Sequence, residues 1–354
     1  MFMKRFLGKA IVGALLLTSL KSLSQYDMKP FKDSIRGVEI VHRFASVNKI
    51  HMHYVEAGQG PLVVLLHGFP ELWYSWRSQI PAIAKAGYRV VAVDLRGYGQ
   101  TTVSPDLSSY SIVNQVQDIS DLIDTLQEKQ AIVIGHDWGA NIAYAMTMLH
   151  PEKVKALVTL SVPFYPQPIG PVSKIREFSG DKFNFVVYFQ EPGVAEKEMT
   201  ADVNHFFNLF FYALSGDAPD ELNNKLFTKK SSHEKLLDEI PAPSKLPSWL
   251  SEEDLAYYTN SFKKSGFTGA LNIYRNIDAD FKKLRGKYRA QINQPSLFIG
   301  GQNDAAIKFG SLEPTKKGLN NLKDLVILPH AGHWVQQEKS TEVNDAILQF
   351  LKSL

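Results

Sequence analysis

Residues 131–139 read Ala131-Ile132-Val133-Ile134-Gly135-His136-Asp137-Trp138-Gly139, and this stretch decides the fold. A short apolar run meets a Gly-x-Asp-x-Gly turn, and the helix-like pattern Ala140-Asn141-Ile142-Ala143-Tyr144-Ala145-Met146 follows. That context is strand, tight turn, helix. Flanking glycines let the backbone make the sharp corner of a nucleophile elbow. Most such elbows present a serine. This one presents a carboxylate, which limits the chemistry to a few reactions.

Outward from the elbow the chain keeps alternating. Val38 to Val47 and Lys49 to Glu56 read as two strands of a meander. Pro61 to Leu66 and Tyr88 to Val93 are continuous apolar runs, as expected of strands buried on both faces. Ile112 to Gln127 has helical spacing, and Lys155 to Val162 is a further strand. The pattern predicts an α/β fold with a mostly parallel sheet and helices on both faces. From about residue 164 to 290 it changes to helical segments and loops rich in aromatics, with no comparable buried strand. Strand logic resumes at Pro295 to Ile299 and Asp324 to Leu328, and Thr341 to Leu351 reads as a closing helix. The expected domains are a core over 25–163, an inserted helical cap over 164–290, and the rest of the core over 291–354.

The first residues read as an export signal. Lys4, Arg5 and Lys9 precede the short apolar run Ala10 to Leu20, and Ser22-Leu23-Ser24 resembles a small-x-small cleavage site. A signal peptide over 1–24 would leave Gln25 as the mature start and give a periplasmic or secreted protein. The alternative is an uncleaved N-terminal anchor, although the run is well short of the roughly 20 residues that span a bilayer. No stable membrane insertion is expected after cleavage. The formal charge of +3 comes from this segment: it holds four of the 39 basic residues, leaving 35 against 36 acids. No basic stripe remains for nucleic acid. The absence of cysteine excludes disulfides, a thiolate nucleophile or metal site, and a lipoprotein.

An elbow carboxylate needs a base and an orienting acid, which follow it in chain order. Asp304 is expected to be the acid, since it follows the strand Leu297-Phe298-Ile299 and Ser161 to Gly170 holds no Asp or Glu. The late loop His330-Ala331-Gly332-His333-Trp334 offers two histidines. The preceding glycine and following aromatic point to His333 as the base, with His330 structural. His136 lies inside the turn, where its side chain should face away from the site. His51 and His53 share a strand face, but nothing nearby supplies a third ligand, so no metal is expected. The backbone N–H groups of Phe69, in His67-Gly68-Phe69-Pro70, and of Trp138 would form the oxyanion hole.

An Asp nucleophile attacks saturated carbon and forms an alkyl ester, which water must then cleave. A halide leaves with N–H donors alone. An epoxide oxygen leaves as a basic alkoxide and needs an acid such as tyrosine.

These residues resemble the epoxide hydrolases of the α/β-hydrolase fold, and are most similar to the hydrolase domain of soluble epoxide hydrolase. The similarity runs from about residue 34 onward. It is carried by His67 through Arg77, Arg96-Gly97-Tyr98-Gly99, the Asp137 elbow, Phe189-Gln190-Glu191-Pro192-Gly193, Lys264-Ser265-Gly266-Phe267, Tyr274-Arg275-Asn276 and Gly332-His333-Trp334. The resemblance implies that Tyr274 is the ring-opening acid, and that Phe185, Tyr188, Phe189 and Trp138 contact a hydrophobic epoxide. Where the family pattern has a second tyrosine, this chain has Phe185; Tyr188 stands about one helical turn on. No cofactor is implied: nucleophile, base and water suffice. Two alternatives remain. Haloalkane dehalogenases share the Asp-Trp-Gly elbow, with Trp138 as a halide donor. A non-catalytic binding protein on the same fold is ranked below both.

Overall fold

The computed structural model describes residues 29–219, 222, 235–238, 240–308 and 310–354. The predicted export segment, 1–24, lies outside them. The described residues form a nine-stranded sheet in the order β1-β2-β3-β5-β4-β6-β7-β8-β9. In chain order these are β1 (Phe31–Ile35), β2 (Val38–Val47), β3 (Ile50–Ala57), β4 (Leu62–Leu66), β5 (Arg89–Val93), β6 (Ala131–His136), β7 (Val154–Leu160), β8 (Ile292–Gly301) and β9 (Leu319–Leu328). The pairings among β4 to β9 are parallel, while β1, β2, β3 and β5 pair antiparallel in succession.

The period of two along each central strand sorts its side chains between two cores. On β4, Leu62, Val64 and Leu66 face one way, against Val116 and Ile119 of the helix Ile112–Thr125 and Ile142 of the helix Trp138–Leu149. Val63 and Leu65 face the other, against Ile80 and Ile83 of the helix Gln79–Lys85 and Ile347 of the helix Ser340–Lys352. Both faces are covered, which is why these strands read as unbroken apolar runs.

Between β7 and β8 the described residues contain helices and no strand. The longer helices here are Val203–Ala213 and Glu252–Ser265. Phe206, Phe207 and Phe211 on the first are fully buried and join Phe262 and Phe267 in one aromatic cluster. Cutting any of the three to Ala would cost about 3–5 kcal/mol. Most of the aromatic stripe is therefore packing. The Gly97 loop after β5 meets the helix Thr268–Arg275 backbone to backbone: a Cβ on Gly269 would stand 2.7 Å from the Gly97 Cα. That close approach sets the helix directly over the strand ends.

The boundaries differ from expectation in three places. Lys49 is in the turn, because Asn48 and Lys49 both take positive φ (37° and 67°) in the β2–β3 hairpin. The edge strand β1 was not anticipated, since four of its five residues are exposed and carry no burial signal. Strands β8 and β9 start earlier than their apolar runs, at Ile292 and Leu319. No helix of the described residues is long and apolar enough to cross a membrane.

Candidate active site

Asp137 sits at the corner between β6 and the helix Trp138–Leu149, with φ 52° and ψ −117°. The turn is so tight that a Cβ on Gly139 would lie 2.1 Å from the Leu66 carbonyl oxygen of β4. The Asp137 carbonyl starts the helix by accepting from Ala140 and Asn141, but its carboxylate makes no capping bond to the helix. The side chain is thus left to project over the strand ends, beside the positive end of the helix dipole.

Two predicted residues meet that carboxylate, and a third backs one of them. The Phe69 N–H donates to Asp137 Oδ1 at 2.8 Å. His333 Nε2 stands 3.6 Å from Asp137 Oδ2. The other ring nitrogen, Nδ1, donates to Asp304 Oδ2 at 3.0 Å. Asp304 is oriented in turn, because its Oδ1 accepts from the Ala306 N–H at 2.9 Å. The Asp137 and His333 side chains keep 18% and 13% of their exposure, so water reaches both. The second predicted donor differs: among the hydrogen bonds of the described residues, none joins the Trp138 N–H to Asp137.

Charge dominates this trio. Burial opposes the charged form of His333 most strongly, yet the Asp304 and Asp137 carboxylates outweigh it and hold the imidazole well above the ordinary histidine value. Burial likewise works against Asp137, and the His333 bond with the nearby His136 and Phe69 N–H overcomes it, so its carboxyl lies below the usual range. Both shifts favour the ion-paired form, and part of the elevation of His333 depends on the Asp137 charge. Asp137→Asn is therefore expected to lower the midpoint of His333, read from its imidazole resonances in an NMR titration. An unchanged midpoint would contradict the coupling.

Below the trio lies a support that sequence reasoning missed. His136 is buried, with Nδ1 2.7 Å from Glu71 Oε2 and Nε2 2.8 Å from the His333 carbonyl oxygen. Its ring centroid is 4.9 Å from that of His333. Facing away from the site therefore does not make it idle: it holds the main chain of the expected base. Glu71 is fully buried, and its other oxygen accepts from Gln336 and Gln337. The available signal was Glu71 itself, an acid four residues past His67 in an otherwise apolar stretch, where burial demands partners.

Tyr274 stands in an aromatic cage beside the elbow. Its ring centroid lies 5.4 Å from Phe69, 5.1 Å from Trp138, 5.0 Å from Phe189 and 6.1 Å from Phe185. Gln190 donates to the Tyr274 carbonyl at 3.1 Å, and Arg275 donates to the Phe189 carbonyl at 3.0 Å, which ties the two motif segments together. Burial and the Asp137 charge push the Tyr274 hydroxyl well above 10.0, with the neighbouring Trp138 side chain only partly opposing them. It therefore stays protonated.

Tyr188 does not join this group. Its hydroxyl donates to Glu198 Oε2 at 2.6 Å, and it lines a recess with Lys182 and Glu191. Its ring still packs on Phe189 at 6.1 Å, but its hydroxyl is turned to Glu198 rather than to Asp137. His51 and His53 also part: His51 bonds Ser46, while His53 is buried between His42 and Asp94. Among the described residues no group of three or more His, Asp or Glu side chains is arranged to hold a metal ion.

An Asp elbow, a His–Asp pair and a tyrosine roof on this sheet define an enzyme of the α/β-hydrolase fold. The sequence family described as alpha/beta hydrolase fold matches residues 61–340. Within it the chain belongs to the epoxide hydrolases. It is 36% identical to epoxide hydrolase A of Mycobacterium tuberculosis, over 88% of this chain and 97% of that one. Bifunctional epoxide hydrolase 2 of Rattus norvegicus is 34% identical, over 93% of this chain and 59% of the relative. The solved epoxide hydrolase from an endophytic Streptomyces superposes with a TM-score of 0.85 at 41% identity, covering 88% of this chain and 95% of that chain.

Proposed function

We propose that the chain hydrolyses a hydrophobic epoxide to a vicinal diol through an alkyl ester on Asp137. One observation supports this reading: the Asp137 carboxylate faces a carboxylate-backed imidazole, and Tyr274 packs on the Phe69 and Trp138 side chains beside it. Oδ1 is engaged by the Phe69 N–H, so Oδ2 is the attacking atom. It bonds to an epoxide carbon, the carbon–oxygen bond breaks, and the ring oxygen takes the Tyr274 proton. Phe185, Phe189 and Trp138 supply the apolar wall, and the helical segment over 164–290 acts as the cap.

The ester is then cleaved at the Asp137 carbonyl. Alkylation removes the Asp137 charge, so His333 loses part of what kept it protonated, passes its Nε2 proton by way of solvent to the Tyr274 phenolate, and becomes a base when a base is needed. It takes a proton from water as the water oxygen adds to the carbonyl carbon. Asp304 steadies the resulting imidazolium, and the Phe69 and Trp138 N–H groups receive the oxyanion on Oδ1. Collapse expels the second diol oxygen, which takes the imidazolium proton, and the Asp137 carboxyl returns its own proton to His333, restoring the starting charges. The basic and then apolar segment 1–24 supports export, with a mature chain from Gln25.

The test is styrene oxide in heavy-oxygen water. With enzyme in excess, the diol should carry unlabelled oxygen from Asp137, and the label should enter Asp137 itself. Label in the first diol and none in the protein would mean direct attack by water and would overturn the ester. Chloride release from 1-chlorobutane without diol formation from any epoxide would favour dehalogenation instead.

A further inference from the structure

A recess opens beside Trp138, walled by Asn141, Pro163, Ile169, Ile277 and Asp280. It adjoins the reacting centre, because Trp138 follows Asp137 and packs edge-on against Tyr274. Asn141 is already committed, its amide donating to the Asp137 carbonyl at 3.4 Å. The Tyr144 hydroxyl, also in the wall, is bonded to Thr159 and the Val162 carbonyl.

Asp280 stands out against this lining. Only 7% of it is exposed, and its Oδ2 accepts from the Ile112 N–H at 2.8 Å. Its Oδ1 is buried and has no hydrogen-bond partner. A buried carboxylate oxygen is costly unless something donates to it. Burial pushes the Asp280 carboxyl up to about 6, and the Ile112 N–H and the Lys283 charge only partly offset this. The group is held in place by a backbone bond, carries one unpartnered oxygen in the wall of a recess whose other polar residues are Asn141, Tyr144, Tyr165, Gln167 and Tyr288, and takes no part in the chemistry proposed for Asp137.

We infer that the recess is the subsite for the epoxide's substituent, and that Asp280 selects substituents ending in a hydroxyl or N–H donor. The inference rests on the epoxide reading of Asp137 and deepens it by naming a substrate class. An apolar wall binds the body of the substituent, while one fixed acceptor rewards a donor and penalises an apolar end that leaves it unpaired.

Three para-substituted styrene oxides test this: hydroxymethyl, ethyl and acetyl. The first two are near-isosteric and differ in one donor, while the third offers only an acceptor. The native enzyme should favour hydroxymethyl over ethyl in kcat/KM by about tenfold or more, the scale of one hydrogen bond to a charged partner. Asp280→Asn is the decisive variant. The Ile112 N–H requires the amide oxygen, so the amide NH2 must face the recess, and a donor replaces an acceptor. The hydroxymethyl preference should vanish, and acetyl should become the best of the three. A melting temperature for the variant checks that the Ile112 contact survives. A flat native ratio, as when water already satisfies Oδ1, overturns the subsite, and so does an Asn variant that keeps the native order. Turnover of plain styrene oxide with a flat ratio would sink the subsite alone; no turnover on any epoxide would sink both readings.

Discussion

His333→Gln is expected to arrest the enzyme after one alkylation, leaving each molecule heavier by one substrate. Attack by Asp137 Oδ2 needs the carboxylate and the Tyr274 proton, both of which the variant keeps. Cleavage of the ester needs a base at Nε2, and glutamine supplies none. Loss of general-base help costs about 10²–10⁴ in rate, enough for the ester to accumulate. The loop should hold its shape, because its backbone is tied independently of the ring. The His333 N–H donates to the Leu214 carbonyl at 2.8 Å, and its carbonyl accepts from Ser161 and His136. Intact-mass measurement after brief exposure to styrene oxide, followed by peptide mapping, checks the result. Mass on another residue, or undiminished turnover, would remove His333 from the role of base.

Tyr274→Phe should slow ring opening by about 10²–10⁴ while leaving the fold almost untouched. Phenylalanine fits the cage of Phe69, Phe189, Phe185 and Trp138 as well as tyrosine does, so little stability is lost. The large effect is expected because no second phenol stands in: Phe185 has no hydroxyl, and that of Tyr188 is spent on Glu198. Phe185 faces Tyr274 at 6.1 Å, so Phe185→Tyr in the Tyr274→Phe background should restore part of the lost rate. Pre-steady-state alkylation rates report both variants. If Tyr274→Phe kept most of its alkylation rate, the proton would have to come from elsewhere, and the roof would be a binding surface only.

Much of this molecule is legible in its linear order because the governing interactions are local. The Asp137 elbow needs two glycines and a strand–helix junction, all within nine residues. The central strands announce themselves because burial on both faces leaves no room for polar side chains. Asp304 and His333 follow from chain order and from the loops that must carry them. What went unread shares one cause, dependence on partners distant in sequence. Exposed β1 becomes a strand only because β2 offers it an edge. His136 gains its task from Glu71, 65 residues away, and Glu71 gains its own from Gln336 and Gln337.

The sequence alone therefore determined the class of fold, the identity of the elbow residue and which late loops bring Asp304 and His333 beside it, since each depends on short-range geometry or on strand periodicity. Tertiary structure alone decided which aromatics surround Tyr274, that the Tyr188 hydroxyl turns to Glu198, and that Asp280 presents a bare oxygen beside Trp138. Those outcomes depend on how helices from one part of the chain settle over strand ends from another. Packing of that kind is fixed by close approaches such as Gly97 against Gly269, which no local pattern encodes.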